Sequence, residues 1–265
     1  MGPGFNHITH SLYSYENGNR QNPAIVFLHG VGASGFMWEF HMRALQNYYC
    51  IAPDMPGHGK STNVEWSTLN EVAEYVHDLI QRLPQKKAHV IGLSLGGSVT
   101  INLLCRHSDV IDCAIVDGAG IIPIRGVTAI KLGVTVLSPF IHSNLVIKAI
   151  ASGVGIQKEA MKNFSRDMKM ASPASFRRAF CQPNDMTLPP GMDKVTTPTL
   201  FVCGEKEARE TAESNRKLAA LMPNAACRVA PKLGHGWLAQ NPDLHIEMVR
   251  ACLEGKNLPP ELKLC

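Results

Sequence analysis

The run Gly92-Leu93-Ser94-Leu95-Gly96-Gly97 constrains this chain more than any other stretch. It directly follows an apolar segment, Ala88 to Ile91, that reads as a buried strand, and precedes Ser98 to His107, which reads as a helix. A serine at such a strand-to-helix corner is held in a strained backbone conformation that lifts its hydroxyl clear of the sheet. Gly92 and Gly96 stand two residues either side of it, where a Cβ would collide with the opposing limb of the turn. Strand, corner and helix together make Ser94 a candidate nucleophile.

Around this corner, strand-like and helix-like segments alternate from Pro23 onward. Ala24 to Leu28, Tyr48 to Ala52 and Ile111 to Val116 read as strands, and Pro198 to Cys203 and Cys227 to Ala230 resume the pattern. Phe36 to Asn47 reads as a helix, with Trp38, Met42 and Leu45 at helical spacing. Leu69 to Leu83 reads as an amphipathic one, and further helices are expected at Thr211 to Leu221 and Asp243 to Leu253. Such alternation predicts an α/β architecture, a mostly parallel central sheet flanked by helices. Tyr13 and Tyr15, before the Asn17-Gly18-Asn19 turn, predict a short antiparallel hairpin at the start.

The interval 120–195 breaks the rhythm. It is rich in Ile, Val, Leu and Met, dotted with Gly and Pro, and holds short helix-like pieces at Asn144 to Ala151, Lys158 to Met170 and Ser175 to Phe180. We read it as a helical cap inserted over the C-terminal edge of the sheet, with 1–119 and 196–265 as the core.

With 265 residues, 45% of them hydrophobic, the chain can bury one substantial core. A net charge of +4, without an arginine-rich run, makes nucleic acid an improbable partner. The eight cysteines form no C-x-x-C pair, and several fall in apolar runs, so reduced thiols in a cytoplasmic protein are expected. Met1 to His10 lacks the basic start and apolar stretch of a secretory signal. Leu132 to Ile147 is uncharged but too short and broken to span a bilayer, so no membrane partner is expected.

A serine hydroxyl needs a base within hydrogen-bond reach. Leu233-Gly234-His235-Gly236-Trp237 supplies a histidine between the last strand and the last helix. The base needs a carboxylate to fix its tautomer, and Gly204-Glu205-Lys206-Glu207 offers one straight after the penultimate strand. Ser94, Glu207 and His235 follow the order nucleophile, acid, histidine.

These marks, together with His29-Gly30 after the first buried strand and Asp54-x-Pro56-Gly57-x-Gly59-x-Ser61, resemble the α/β-hydrolase superfamily over essentially the whole chain. Overall the sequence looks like its small, lid-bearing bacterial serine esterases. The resemblance implies an α/β-hydrolase fold and hydrolysis of small to medium, largely apolar esters or thioesters through an acyl-enzyme. It also implies an oxyanion hole from the backbone N–H groups of Val31 and Leu95. The family usually carries aspartate three residues after the glycine, where this chain has Glu207. Glu205, Glu210 and Asp117 therefore stay open as rivals for the acid.

Other residues have plainer readings. His58, His41, His77 and His107 read as turn, surface or packing residues, and no His, Cys and carboxylate cluster has metal-ligand spacing, so neither metal nor cofactor is expected. Ser98 and Ser34 are weaker candidate nucleophiles, inside a helix and a turn. Met161, Met168 and Met170 read as lid packing, and Trp237 either lines the pocket or fastens the last helix. Two other activities remain: a carbon–carbon bond hydrolase of the diketone type, using Arg177 or Arg178 from the cap, and a ligand sensor built on the same fold.

Overall fold

The computed structural model describes residues 12–153 and 155–265. Met1 to His10, read above for a secretory signal, lies outside the described residues. The strands are β1 (Ser14–Asn17), β2 (Ala24–Leu28), β3 (Tyr49–Pro53), β4 (Ala88–Leu93), β5 (Ile111–Asp117), β6 (Thr199–Gly204), β7 (Ala225–Ala230) and β8 (Lys263–Leu264). They form one sheet in the order β1-β3-β2-β4-β5-β6-β7-β8. Pairing is parallel from β3 through to β7, and the two edge strands β1 and β8 run antiparallel to their neighbours.

The helices are α1 (Glu39–Ala44), α2 (Leu69–Gln81), α3 (Leu95–His107), α4 (Val127–Leu137), α5 (Asn144–Gly153), α6 (Met161–Met170), α7 (Pro173–Cys181), α8 (Arg209–Leu221), α9 (Trp237–Gln240) and α10 (Pro242–Leu253). Period-two alternation splits each strand between two cores. Val26 and Leu28 face α2, α3 and α8, packing with Val72, Val99 and Leu218. Ile25 and Phe27 face the other way, into Trp38, Met42, Trp237 and Met248. Central strands covered on both faces need the near-continuous apolar composition seen in the sequence. Each fully buried aliphatic or aromatic side chain contributes about 1.5–3 kcal/mol of transfer free energy. At the start of α2, Thr68 Oγ1 caps the helix by accepting a hydrogen bond from the Glu71 amide at 3.2 Å.

Between β5 and β6 the chain leaves the sheet for α4 to α7, which share a small core of their own. Ile141, Ile147, Phe164, Met168 and Phe176 are buried together there, as the lid-packing reading of the Met group expects for Met168. This segment is tied to the loops after β2 and β3. Ser34 Oγ donates to Asp167 Oδ2 at 2.7 Å, Ser175 Oγ accepts from the Trp66 amide at 3.0 Å, and the Ser172 amide donates to Gly57 O at 3.0 Å.

Three sequence expectations need correction, and one helix was not foreseen. The first strand does pair antiparallel, but with β3 and not in a hairpin with β2, because β2 sits between β3 and β4 with both of its edges taken. The helix expected from Phe36 to Asn47 is a 3-10 turn, Gly35–Trp38, followed by the short α1. Val127–Leu137 is a regular helix, hidden from periodicity analysis because it is apolar around most of its circumference. Cys227 and Cys265 form a disulfide, so not all thiols are free; pairing of β8 with β7 carries the C-terminal cysteine to Cys227. Among the described residues, no helix is long and apolar enough to cross a membrane.

Candidate active site

Ser94 sits between β4 and α3 with φ 56° and ψ −113°, a backbone conformation that side chains rarely adopt. Such strain costs about 1–3 kcal/mol and persists only where its surroundings enforce it. Here the Ser94 amide donates to Asp117 O at 2.7 Å, the Ser98 amide donates to Ser94 O at 3.0 Å, and the Gly96 amide donates to His29 O at 3.1 Å. The flanking glycines are required by contact: a Cβ on Gly92 would meet Gly96 O, and one on Gly96 would meet Leu28 O. Gly96 thus lets α3 approach the end of β2.

The loops after β6 and β7 converge beside this corner. Glu207 Oε2 lies 2.8 Å from His235 Nδ1, while Glu207 Oε1 accepts from the Gly204 amide at 2.8 Å. The carboxylate is therefore fixed at both oxygens, and its bond to Nδ1 leaves Nε2 on the opposite side of the ring. Burial pulls the His235 pKa down. The hydrogen bond that Nδ1–H donates to Glu207, the charge of that carboxylate and the Asp117 charge together push harder the other way, leaving it above the ordinary histidine value.

Ser94, Glu207 and His235 all line one cavity of about 700 Å³. No hydrogen bond joins Ser94 to His235 among the described residues. Val31 and Leu95 border the same space, and among the described residues neither backbone N–H has an acceptor outside regular helix bonding. As the first residue of α3, Leu95 has no carbonyl one turn back to bond to. Much of the remaining lining comes from 120–195, including Ile122, Ile130, Val134, Ile150 and Phe180. The wall is mostly apolar, with Lys206 as its cation.

The rival acids have other partners. Glu205 Oε2 accepts from the Lys232 amide at 2.7 Å, and Glu210 Oε1 accepts from the Arg125 amide at 3.1 Å. The buried Asp117 carboxylate accepts from Trp237 Nε1 at 2.9 Å and lies 3.2 Å from His245 Nε2, while His245 Nδ1 meets His41 Nε2 at 2.9 Å. Asp117 thus anchors a buried polar network. Burial and the nearby Glu207 charge raise its pKa well above the usual carboxylate value. Trp237 is fully buried by this bond and fastens the segment after His235; it does not line the cavity.

The plainer readings also find their places. His29 Nε2 accepts from the Met55 amide at 2.9 Å, so its Nδ1–H donates to Gly30 O at 2.8 Å. Asp54 takes the Gly35 and Lys60 amides at 2.7 Å each, making the Asp54-to-Ser61 motif a scaffold for the loops beside the site. Ser34 is spent on Asp167, whereas Ser98, one turn into α3, does border the cavity. Neither Arg177 nor Arg178 does; Arg178 pairs with Glu65 at 2.7 Å.

Sequence reading missed Gly118. It has φ +59°, and a Cβ there would lie 2.8 Å from His235 Nδ1 and 3.2 Å from Glu207 Oε2. Only a glycine leaves room for the imidazole and carboxylate to meet. The signal was the Asp117-Gly118-Ala119-Gly120 run at the end of a buried strand.

Beside this sheet order and the strained serine after the fourth strand, the sequence itself is matched over residues 25–246 by a family model described as alpha/beta hydrolase family. This chain belongs to the alpha/beta hydrolase family. Among curated relatives, 3-oxoadipate enol-lactonase 1 of Acinetobacter baylyi is 39% identical over 82 residues, 31% of each chain. A pimeloyl acyl-carrier-protein methyl ester esterase of Vibrio vulnificus is 33% identical over 90 residues, 34% of each chain. Each of these two matches therefore spans about a third of the relative's length. The crystal structure of the enol-lactonase from Burkholderia xenovorans LB400 superposes with a TM-score of 0.79 at 21% identity, covering 92% of this chain and 96% of that one. As a member of this family, the chain has esterase-like and lactonase-like relatives.

Proposed function

We propose that this hydrolase cleaves carboxylic esters, thioesters or lactones of small to medium, largely apolar substrates, with Ser94 as nucleophile, His235 as base and Glu207 as its acid partner. The observation that carries the reading is the 2.8 Å bond between Glu207 and His235 Nδ1 on the wall of the cavity that also holds Ser94. With the proton on Nδ1, His235 Nε2 takes the Ser94 proton as Oγ attacks the carbonyl carbon. The Val31 and Leu95 amides receive the oxyanion, each such donor worth about 10²–10³ in rate. Collapse of the tetrahedral intermediate expels the alcohol or thiol, which leaves with the proton from Nε2. Water, deprotonated by the same nitrogen, then attacks the acyl-serine and releases the acid.

In this reading 120–195 is a cap. Its apolar side chains close the cavity and select apolar acyl groups. The chemistry needs no cofactor, and the lactonase and esterase names of the two curated relatives are in keeping with it.

The test is a panel of p-nitrophenyl esters of increasing acyl length, together with fluorophosphonate labelling, on wild type and Ser94→Ala. Turnover and labelling in wild type, with both lost in Ser94→Ala, is the expected result. Unchanged turnover in Ser94→Ala would remove the nucleophile and with it the proposal.

A further inference from the structure

Eleven large apolar side chains are exposed among the described residues, and six of them lie between positions 130 and 145. Leu145 is 79% exposed, Leu132 65%, Val136 61% and Phe140 60%. Leu132 and Val136 are four residues apart, on one face of α4, and Phe140 follows in the 3-10 turn that continues the helix. No residue of α4 is buried. Its Ile130 and Val134 line the candidate active cavity, so the helix is apolar both toward that cavity and toward solvent. Isolated exposed apolar residues need no explanation, but a concentration on one helix and the turn after it marks a contact surface.

The charge around this surface identifies what it contacts. Residues 121–180 carry nine Lys or Arg against two acidic residues, Glu159 and Asp167, in a chain whose net charge is only +4. Lys148 lies one turn from Leu145 on the exposed side of α5. Among the described residues, Lys148, Lys169 and Arg177 pair with no carboxylate. Lys131, Arg166 and Arg178 are paired with Asp185, Asp167 and Glu65, but the segment keeps an excess of positive charge, and an apolar helix on such a segment is complementary to an anionic interface with an apolar layer beneath it.

We propose that the α4–α5 face docks reversibly on anionic lipid bilayers, with Leu132, Val136, Phe140 and Leu145 entering the headgroup boundary. The same helix borders the cavity through Ile130 and Val134, so docking would set the cavity wall beside the lipid phase. This goes beyond the ester-hydrolase reading and does not need Ser94 to be catalytic. It also departs from the expectation that no membrane partner exists, since that rested on the lack of a spanning segment, and a surface-lying helix needs none.

Flotation of the full chain with vesicles of phosphatidylcholine, alone or with a minority of phosphatidylserine, tests this. Binding is expected to the serine-containing vesicles, to fall at high salt, and to drop by about tenfold or more in Leu132→Glu/Phe140→Glu and in Leu145→Glu. None of these three residues lines the cavity, so hydrolysis of a soluble p-nitrophenyl ester stays at the wild-type rate and reports that the variants are folded. Ser94→Ala should float like wild type, which separates failure of this proposal from failure of the hydrolase reading. Absence of flotation, equal binding to neutral vesicles, or a dimer in light scattering that the double variant dissolves would each overturn it.

Discussion

At the scale of single residues, the site depends on the pairing of one carboxylate with one imidazole. Burial pulls His235 down, but Glu207, with the charge of Asp117, outweighs it and holds the imidazole above its ordinary value near 6.5. In the proposed mechanism only the neutral ring accepts the Ser94 proton, so kcat/KM should fall as pH drops through a midpoint above 6.5. Glu207→Gln removes the charge that raises this pKa, so the acid limb should move to lower pH. The same change loses the stabilised imidazolium and the fixed tautomer, and the plateau should fall by about 10³–10⁴. A pH–rate profile of both proteins on one ester checks sign and size together. Glu205→Gln and Glu210→Gln should leave the profile where it is, since those carboxylates accept from the Lys232 and Arg125 amides instead.

At the scale of elements, the site is a set of close approaches between strand ends and loops. Ser94 takes its place because β4 stops against α3, and the Asp117 carbonyl at the end of β5 receives its amide. One residue on, Gly118 clears the space in which Glu207 meets His235. Gly118→Ala should push the imidazole aside and lower kcat by about 10², the usual penalty for a displacement of about 1 Å at a reacting group. KM for a small ester should move much less, because the cavity wall is otherwise intact. Steady-state kinetics separate the two constants. A KM change without a kcat change would mean that Gly118 shapes the pocket and not the base. The strand-to-helix corner was legible in the chain because its glycines bracket a serine at fixed spacing. Gly118 was not, because its partners lie about 90 and 117 positions downstream.

At the scale of the molecule, the sheet is closed at one edge by its own C-terminus. The Cys227–Cys265 bond spans a sequence separation of 38, for which loop-closure entropy predicts about 4 kcal/mol of stabilisation. Cys265→Ser should lower the stability of the oxidised protein by roughly that amount. Under reducing conditions it should have little effect; urea denaturation with and without reductant measures both. This disulfide also corrects the expectation of uniformly reduced thiols. Periodicity could not foresee it, since β8 is two residues long and reaches Cys227 only by pairing with β7.

The sequence by itself determined the layered α/β order, the two apolar faces of the strands, and the corner that exposes Ser94. These follow from local rules, namely period-two and helical spacing, turn glycines and the sterics of adjacent residues. It also proposed Glu207 and His235, each by its position after a strand. Only the tertiary structure decided which of four carboxylates bonds the imidazole. It also sent Asp117 to Trp237 and His245, placed Ser34 on Asp167, and left α4 apolar toward solvent. Those outcomes depend on which loops meet above the sheet edge, and no local pattern encodes a meeting between residues that far apart in the chain.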